Sequence, residues 1–73
     1  MKNEKFLWNS DRTKVVKVEL IRNFSIEPTR EGVAVLGWFN DKESINFGNF
    51  PDVHTGRVFL ERILDFVGGM TNE

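Results

Sequence analysis

From Val16 onward, Val16, Val18, Leu20, Phe24 and Ile26 alternate with Lys17, Glu19, Asn23, Ser25 and Glu27, which is the period of a half-buried strand. The alternation breaks at Arg22 and is blurred by Ile21, and an unbroken strand of that length would be about twice the usual five or six residues. A broken strand over residues 14–27 is therefore expected. A bulge or tight turn around Glu19–Arg22 would let Val18, Ile21 and Phe24 all point inward. Ahead of it, KFLWN at residues 5–9 is a short apolar run before the turn-like NSDRT, predicting an edge strand. EPTREG, with its Pro and Gly, reads as a loop.

VAVLGWF and SINFGNF flank NDKE, the signal of a hairpin with strands over residues 33–39 and 44–50. A loop of two or four residues pairs positions whose numbers sum to 83. Trp38 then opposes Ile45, Leu36 opposes Phe47 and Ala34 opposes Asn49 on one face. The other face holds Val33, Val35, Gly37 and Phe39 against Phe50, Gly48, Asn46 and Ser44. The first face is apolar across both strands and is the expected core. A loop of three or five residues would shift the register and scramble that division, because strand side chains alternate between faces.

PDVHTGRVFLERILDFVGG predicts an amphipathic helix over residues 53–67. Asp52 is the candidate N-cap, and Gly68-Gly69 supplies a residue for a left-handed C-cap. Gly56, Phe59, Leu60, Ile63, Leu64 and Val67 form one stripe, with Arg57, Glu61, Arg62 and Asp65 opposite. The expected fold class is α+β: a small antiparallel sheet of four to five strands packed on one C-terminal α-helix. It forms one domain over residues 1–73.

A chain of 73 residues buries only about 60% of its unfolded surface, so each large apolar residue matters. Seven Phe and two Trp without Tyr suggest a core built from a few large side chains. The lack of Cys rules out a disulfide staple and thiolate metal sites. Good packing or self-association is left to firm up the core. The net charge of −1 gives no general attraction to nucleic acid or membrane. Residues 1–30 carry a local +3 and residues 31–73 a local −4. No run reaches membrane-spanning length, and MKNEKFLWNSDR has no signal-like apolar stretch. A cytoplasmic location without membrane contact is expected.

One His and no Cys or Tyr leave little for catalysis. His54 lies beside the helix cap, Ser10 and Ser44 sit in no nucleophile elbow, and Asp41 and Glu43 belong to a polar turn. No catalytic, cofactor-binding or metal residue is expected, no cofactor, and no enzyme. Val33, Val35, Phe39 and Phe50 would leave the second sheet face half-apolar, and one helix cannot cover both faces. Either Phe6 and Trp8 fold over that face or another chain does. The first expectation is a protein-interaction or regulatory module using Val33, Val35, Phe39 and Phe50, with a protein partner or a second copy of the chain. The alternative is a single-stranded nucleic-acid-binding module. Its bases would stack on Phe39 and Phe50, beside a weak basic patch of Arg12, Lys14, Lys17 and Arg22. The hairpin holds only Lys42 against Asp41 and Glu43, so nucleic acid ranks second.

KVVKVELIRNFSIE, then VAVLGWFNDKESINFGNF, then a helix containing FLERIL is an order that resembles a loose class of short bacterial and phage-borne proteins. These run as a strand, a hairpin ending in hydrophobic-Gly-x-Phe, and a helix rich in Glu and Leu. The resemblance covers nearly the whole chain and implies a sheet-plus-helix fold. It transfers no catalytic or ligand residue.

Overall fold

A computed structural model describes the backbone of residues 5–71 and the side chains of residues 5–68. The expected single domain also includes residues 1–4 and 72–73, which lie outside the described residues. The elements are β1 (Phe6–Trp8), β2 (Val15–Lys17), a 3-10 turn (Val18–Leu20), β3 (Asn23–Thr29), β4 (Gly32–Trp38), β5 (Ser44–Phe50) and α1 (Val53–Thr71). The fold is α+β, but the five strands form two antiparallel sheets rather than one. β1 pairs with β2, and β3-β4-β5 form a meander. The 3-10 turn separates them. Val18 closes the ribbon by donating its N–H to Lys5 O (2.9 Å), and Ile21 N–H returns to Val18 O (3.0 Å). The chain is thereby redirected before β3 begins.

The hairpin register departs from the expected one, and the reason begins at its loop. Phe39 N–H donates to Glu43 O at 2.9 Å, leaving Asn40, Asp41 and Lys42 at the tip. Asn40 Oδ1 accepts from the backbone N–H groups of Lys42 (2.7 Å) and Glu43 (2.9 Å), giving the turn a local hydrogen-bonded frame. A three-residue tip pairs Trp38 with Ser44, Gly37 with Ile45 and Leu36 with Asn46. A bulge then restores the expected pairing, with Val35 opposite Gly48, Ala34 opposite Asn49 and Val33 opposite Phe50. Phe47 is the extra residue. One inserted position shifts every side chain beyond it to the other face. Ile45 and Phe47 therefore join Val33 and Val35 instead of Leu36 and Trp38.

The helix covers the Val33–Val35 face, which corrects the expected assignment of core and open sides. Val35 is fully buried, and it clusters with Phe47 and Ile63. Leu7, Ile21, Phe24, Ile26, Phe50, Phe59 and Leu60 pack around that cluster. The third strand decides the choice. β3 places Phe24 beside Gly37, Ile26 beside Val35 and Pro28 beside Val33 on one side. On the other side it places Asn23 beside Trp38, Ser25 beside Leu36 and Glu27 beside Ala34. The opposite face is thus an apolar central strand between two polar ones. Leu36 and Trp38 remain half-buried there, and Trp38 Nε1–H donates to Ser25 Oγ at 2.8 Å.

The helix starts at its expected cap. Asp52 Oδ1 accepts from Thr55 N–H (2.8 Å) and Thr55 Oγ (2.7 Å), and Asp52 O accepts from Gly56 N–H. These Thr55 bonds hold the Asp52 carboxyl below its ordinary value. Gly56 and Ile63 are buried, Phe59, Leu60 and Val67 half-buried, and Leu64 is exposed despite its place in the predicted stripe. The expected stop at Gly68-Gly69 is absent, because the helix runs on to Thr71. The two helical glycines with described surroundings therefore differ. A methyl group at Gly68 meets nothing within 4 Å, whereas at Gly56 it would lie 3.0 Å from Val33 Cγ2. Gly68→Ala is expected to stabilise the protein by about 0.5–1 kcal/mol through helix propensity alone. Gly56→Ala should forgo that gain to crowding. Paired urea titrations check this, and a destabilising Gly68→Ala would show that the helix does not continue past that residue.

Candidate functional site

The residues first expected to form an interface do not share an open surface. Val33 and Val35 are buried beneath the helix, and Phe50 is half-buried with its ring 4.9 Å from that of Phe59. Phe39 lies beyond β4 in the hairpin turn and is half-buried. The strand register explains this placement. Pro28, Val33 and Phe50 form one cross-strand row on the helix side, and Ile26, Val35 and Gly48 form the next.

Phe6 and Trp8 do not fold over the sheet either. In the ribbon Phe6 opposes Lys17, Leu7 opposes Val16 and Trp8 opposes Val15. Leu7 and Val16 point inward, and Leu7 packs against the Val35–Phe47–Ile63 cluster, on the same side of the sheet as the helix. Alternation then turns Phe6, Trp8, Val15 and Lys17 outward. Phe6 and Trp8 are each 50% exposed and Val15 46%. Two aromatic rings on one three-residue strand form the most exposed aromatic pair among the described residues. The alternation of Phe6-Leu7-Trp8 against Val15-Val16-Lys17 could have revealed it.

A two-stranded ribbon is marginal alone, so its attachments matter. Ser10 N–H donates to Asn46 O of β5 at 2.8 Å. Lys5 Nζ donates to Phe66 O at 2.7 Å and lies 4.7 Å from the centre of the Phe66 ring. The β1–β2 turn is braced by polar side chains. Asn9 Oδ1 accepts from Thr13 N–H (2.9 Å) and Lys14 N–H (3.1 Å), and the Thr13 hydroxyl donates to Asp11 Oδ1 at 2.6 Å. The Thr13 hydroxyl bond is the chief cause holding the Asp11 carboxyl below its ordinary value. Arg12, at φ 60°, takes the left-handed position of this turn, which orients its exposed side chain from the ribbon's tip.

Positive charge gathers on the same substructure. Residues 5–17 contain Lys5, Arg12, Lys14 and Lys17 against Asp11 alone, a local +3 in a chain of net charge −1. Arg12 and Lys14 are exposed, and Lys17 is half-buried on the aromatic face. Lys17 lies 3.6 Å from Glu19 in a surface pair, the kind that contributes little in water. Arg22, the fourth member of the expected patch, is exposed beyond the 3-10 turn, and its N–H extends β3 by donating to Trp38 O.

The chain matches no known family model, no curated protein and no solved structure. Its site must be read from its own geometry. Among the described residues, no three His, Asp or Glu side chains gather as a metal site, and no helix is long and apolar enough to cross a membrane. A groove of about 510 Å³ lies along the β3–β4 turn, lined by Thr29, Arg30, Glu31, Asn49, Phe50 and Pro51. It is open, and its charged groups sit on the exposed turn. His54 is exposed in the first turn of the helix.

Proposed function

We propose that this protein is a small cytoplasmic binding module with no catalytic role, and that its contact surface is the outer face of the β1–β2 ribbon. The observation that carries this reading is the exposure of Phe6 and Trp8 side by side, at 50% each. Their strand is tied down on its inner face by Leu7 and at its end by Lys5. Exposed aromatic side chains gain most from being covered, because each ring offers a large apolar area with few rotatable bonds. The ribbon's attachments keep the two rings in place before a partner arrives, which reduces the ordering cost of binding.

The double variant Phe6→Ser/Trp8→Ser tests the reading. Both side chains point away from the core, so the melting temperature should stay close to that of the parent protein. Association should be lost, whether seen as self-association by sedimentation at micromolar concentration or as capture of a protein or nucleic acid from host extract. A folded variant that associates as the parent does would overturn the assignment of this face.

A further inference from the structure

We infer that the ligand of the ribbon's outer face is single-stranded nucleic acid, with bases stacking on Phe6 and Trp8 and phosphates meeting Lys17 on that face and Arg12 at the ribbon's tip. The inference rests on the ribbon being the contact surface and adds the chemical class of its partner. Three observations carry it. The first is spacing. Phe6 and Trp8 occupy alternate positions of one strand, so their rings project to the same side about 7 Å apart. Stacking platforms use this arrangement, in which successive bases of an unpaired strand meet successive rings.

The second observation is charge. Lys17 lies directly opposite Phe6 on the aromatic face, Arg12 projects at the ribbon's tip, and Lys14 adds its charge from the ribbon's other side. Elsewhere in the described side chains, residues 18–68, eight acidic groups outnumber five basic ones. Phosphate attraction would therefore direct a nucleic acid to the face that carries the aromatics. The Lys17–Glu19 pair is at the surface, where such contacts contribute little.

The third observation is area. Half of two aromatic side chains and of one Val amounts to roughly 300 Å² of apolar surface. A stable protein interface takes about 800 Å² from each partner, of which roughly 450 Å² is apolar, so the apolar area of this face falls short of what a second copy of the chain or a folded partner needs. Base stacking needs only the ring faces, with the remaining affinity coming from phosphate contacts.

The test uses a fluorescein-labelled oligothymidylate of about 12 nucleotides, within the span such grooves accommodate. Trp38→Phe is the background, which leaves Trp8 as the indole reporter. Binding at 50 mM salt should quench Trp8. Neutralising two or three phosphates gives an affinity that falls about tenfold between 50 and 200 mM salt. Phe6→Ala and, by anisotropy, Trp8→Ala should each weaken binding about tenfold. Arg12→Gly, which suits the left-handed turn position, should lower the salt slope by about 0.7 while the fold is kept. A duplex of the same length should bind more weakly, because its bases are already stacked. No binding at 50 mM salt would overturn the nucleic-acid assignment. If Phe6→Ser/Trp8→Ser still abolished capture of a polypeptide, the surface would stand with a protein as its partner. Oligonucleotide binding indifferent to both aromatic variants would overturn the surface and the ligand together.

Discussion

Replacing Phe47 by Ala is expected to lower the unfolding free energy by about 3–5 kcal/mol. A chain of 73 residues has about 4–11 kcal/mol in total, so the variant should lie near the edge of folding. Phe47 is the residue inserted by the β5 bulge. Its ring fills the centre of the cluster with Val35 and Ile63 and lies 6.0 Å from that of Phe24. It also occupies the space above Gly37, where an added Cβ would come within 2.5 Å of Phe47 Cε2. With glycine beneath it, no side chain of Gly37 can fill the vacated volume from that side. Urea titration followed by Trp38 fluorescence measures the loss. A destabilisation below about 1 kcal/mol would show that the core does not depend on this ring.

Gly32→Ala is the second substitution with a large expected effect. Gly32 has φ of 156°, a region nearly reserved for glycine and worth about 1–3 kcal/mol of strain for other residues. A Cβ there would also fall on the carbonyl oxygen of Phe50, with Phe50 C and Pro51 C each 3.1 Å away. A flexible side chain could move aside, but these are backbone atoms at the junction between β5 and the helix. Adding a typical overpacking cost gives a total of about 2–6 kcal/mol. Thermal melting of Gly32→Ala beside Gly68→Ala makes the comparison direct: the first should melt far below the parent and the second slightly above it. Equal melting temperatures for Gly32→Ala and the parent would mean that the close approach of β4 to the end of β5 is dispensable.

The candidate surface was legible only in fragments. Arg12, Lys14, Lys17 and Arg22 are identifiable in the sequence as a weak basic patch, and aromatic stacking as the chemistry that goes with it. Phe39 lies where the expected hairpin register is off by one position at the loop, whereas Phe50 pairs with Val33 as expected and is lost to the surface because the helix covers that face. A three-residue tip, framed by the Asn40 side chain, has no sequence signature that separates it from a four-residue one. The aromatics that share a ribbon with Arg12, Lys14 and Lys17 are Phe6 and Trp8.

The chain's own residues were enough to determine the α+β class, the C-terminal helix with Asp52 as its cap, and the break in the long strand before Asn23. Each rests on local physics: a period of 3.6 or 2, a carboxylate beside free amides, and a strand too long to continue. Tertiary structure alone decided which side of the sheet became the core. The hairpin considered by itself favours Leu36 and Trp38. Phe24 and Ile26 of β3, the bulge at Phe47 and the arrival of Ile63 together favour Val33 and Val35. Burial is a property of all three strands and the helix at once, so no two-strand pattern could settle it. The same choice turned Leu7 inward and left Phe6 and Trp8 facing solvent.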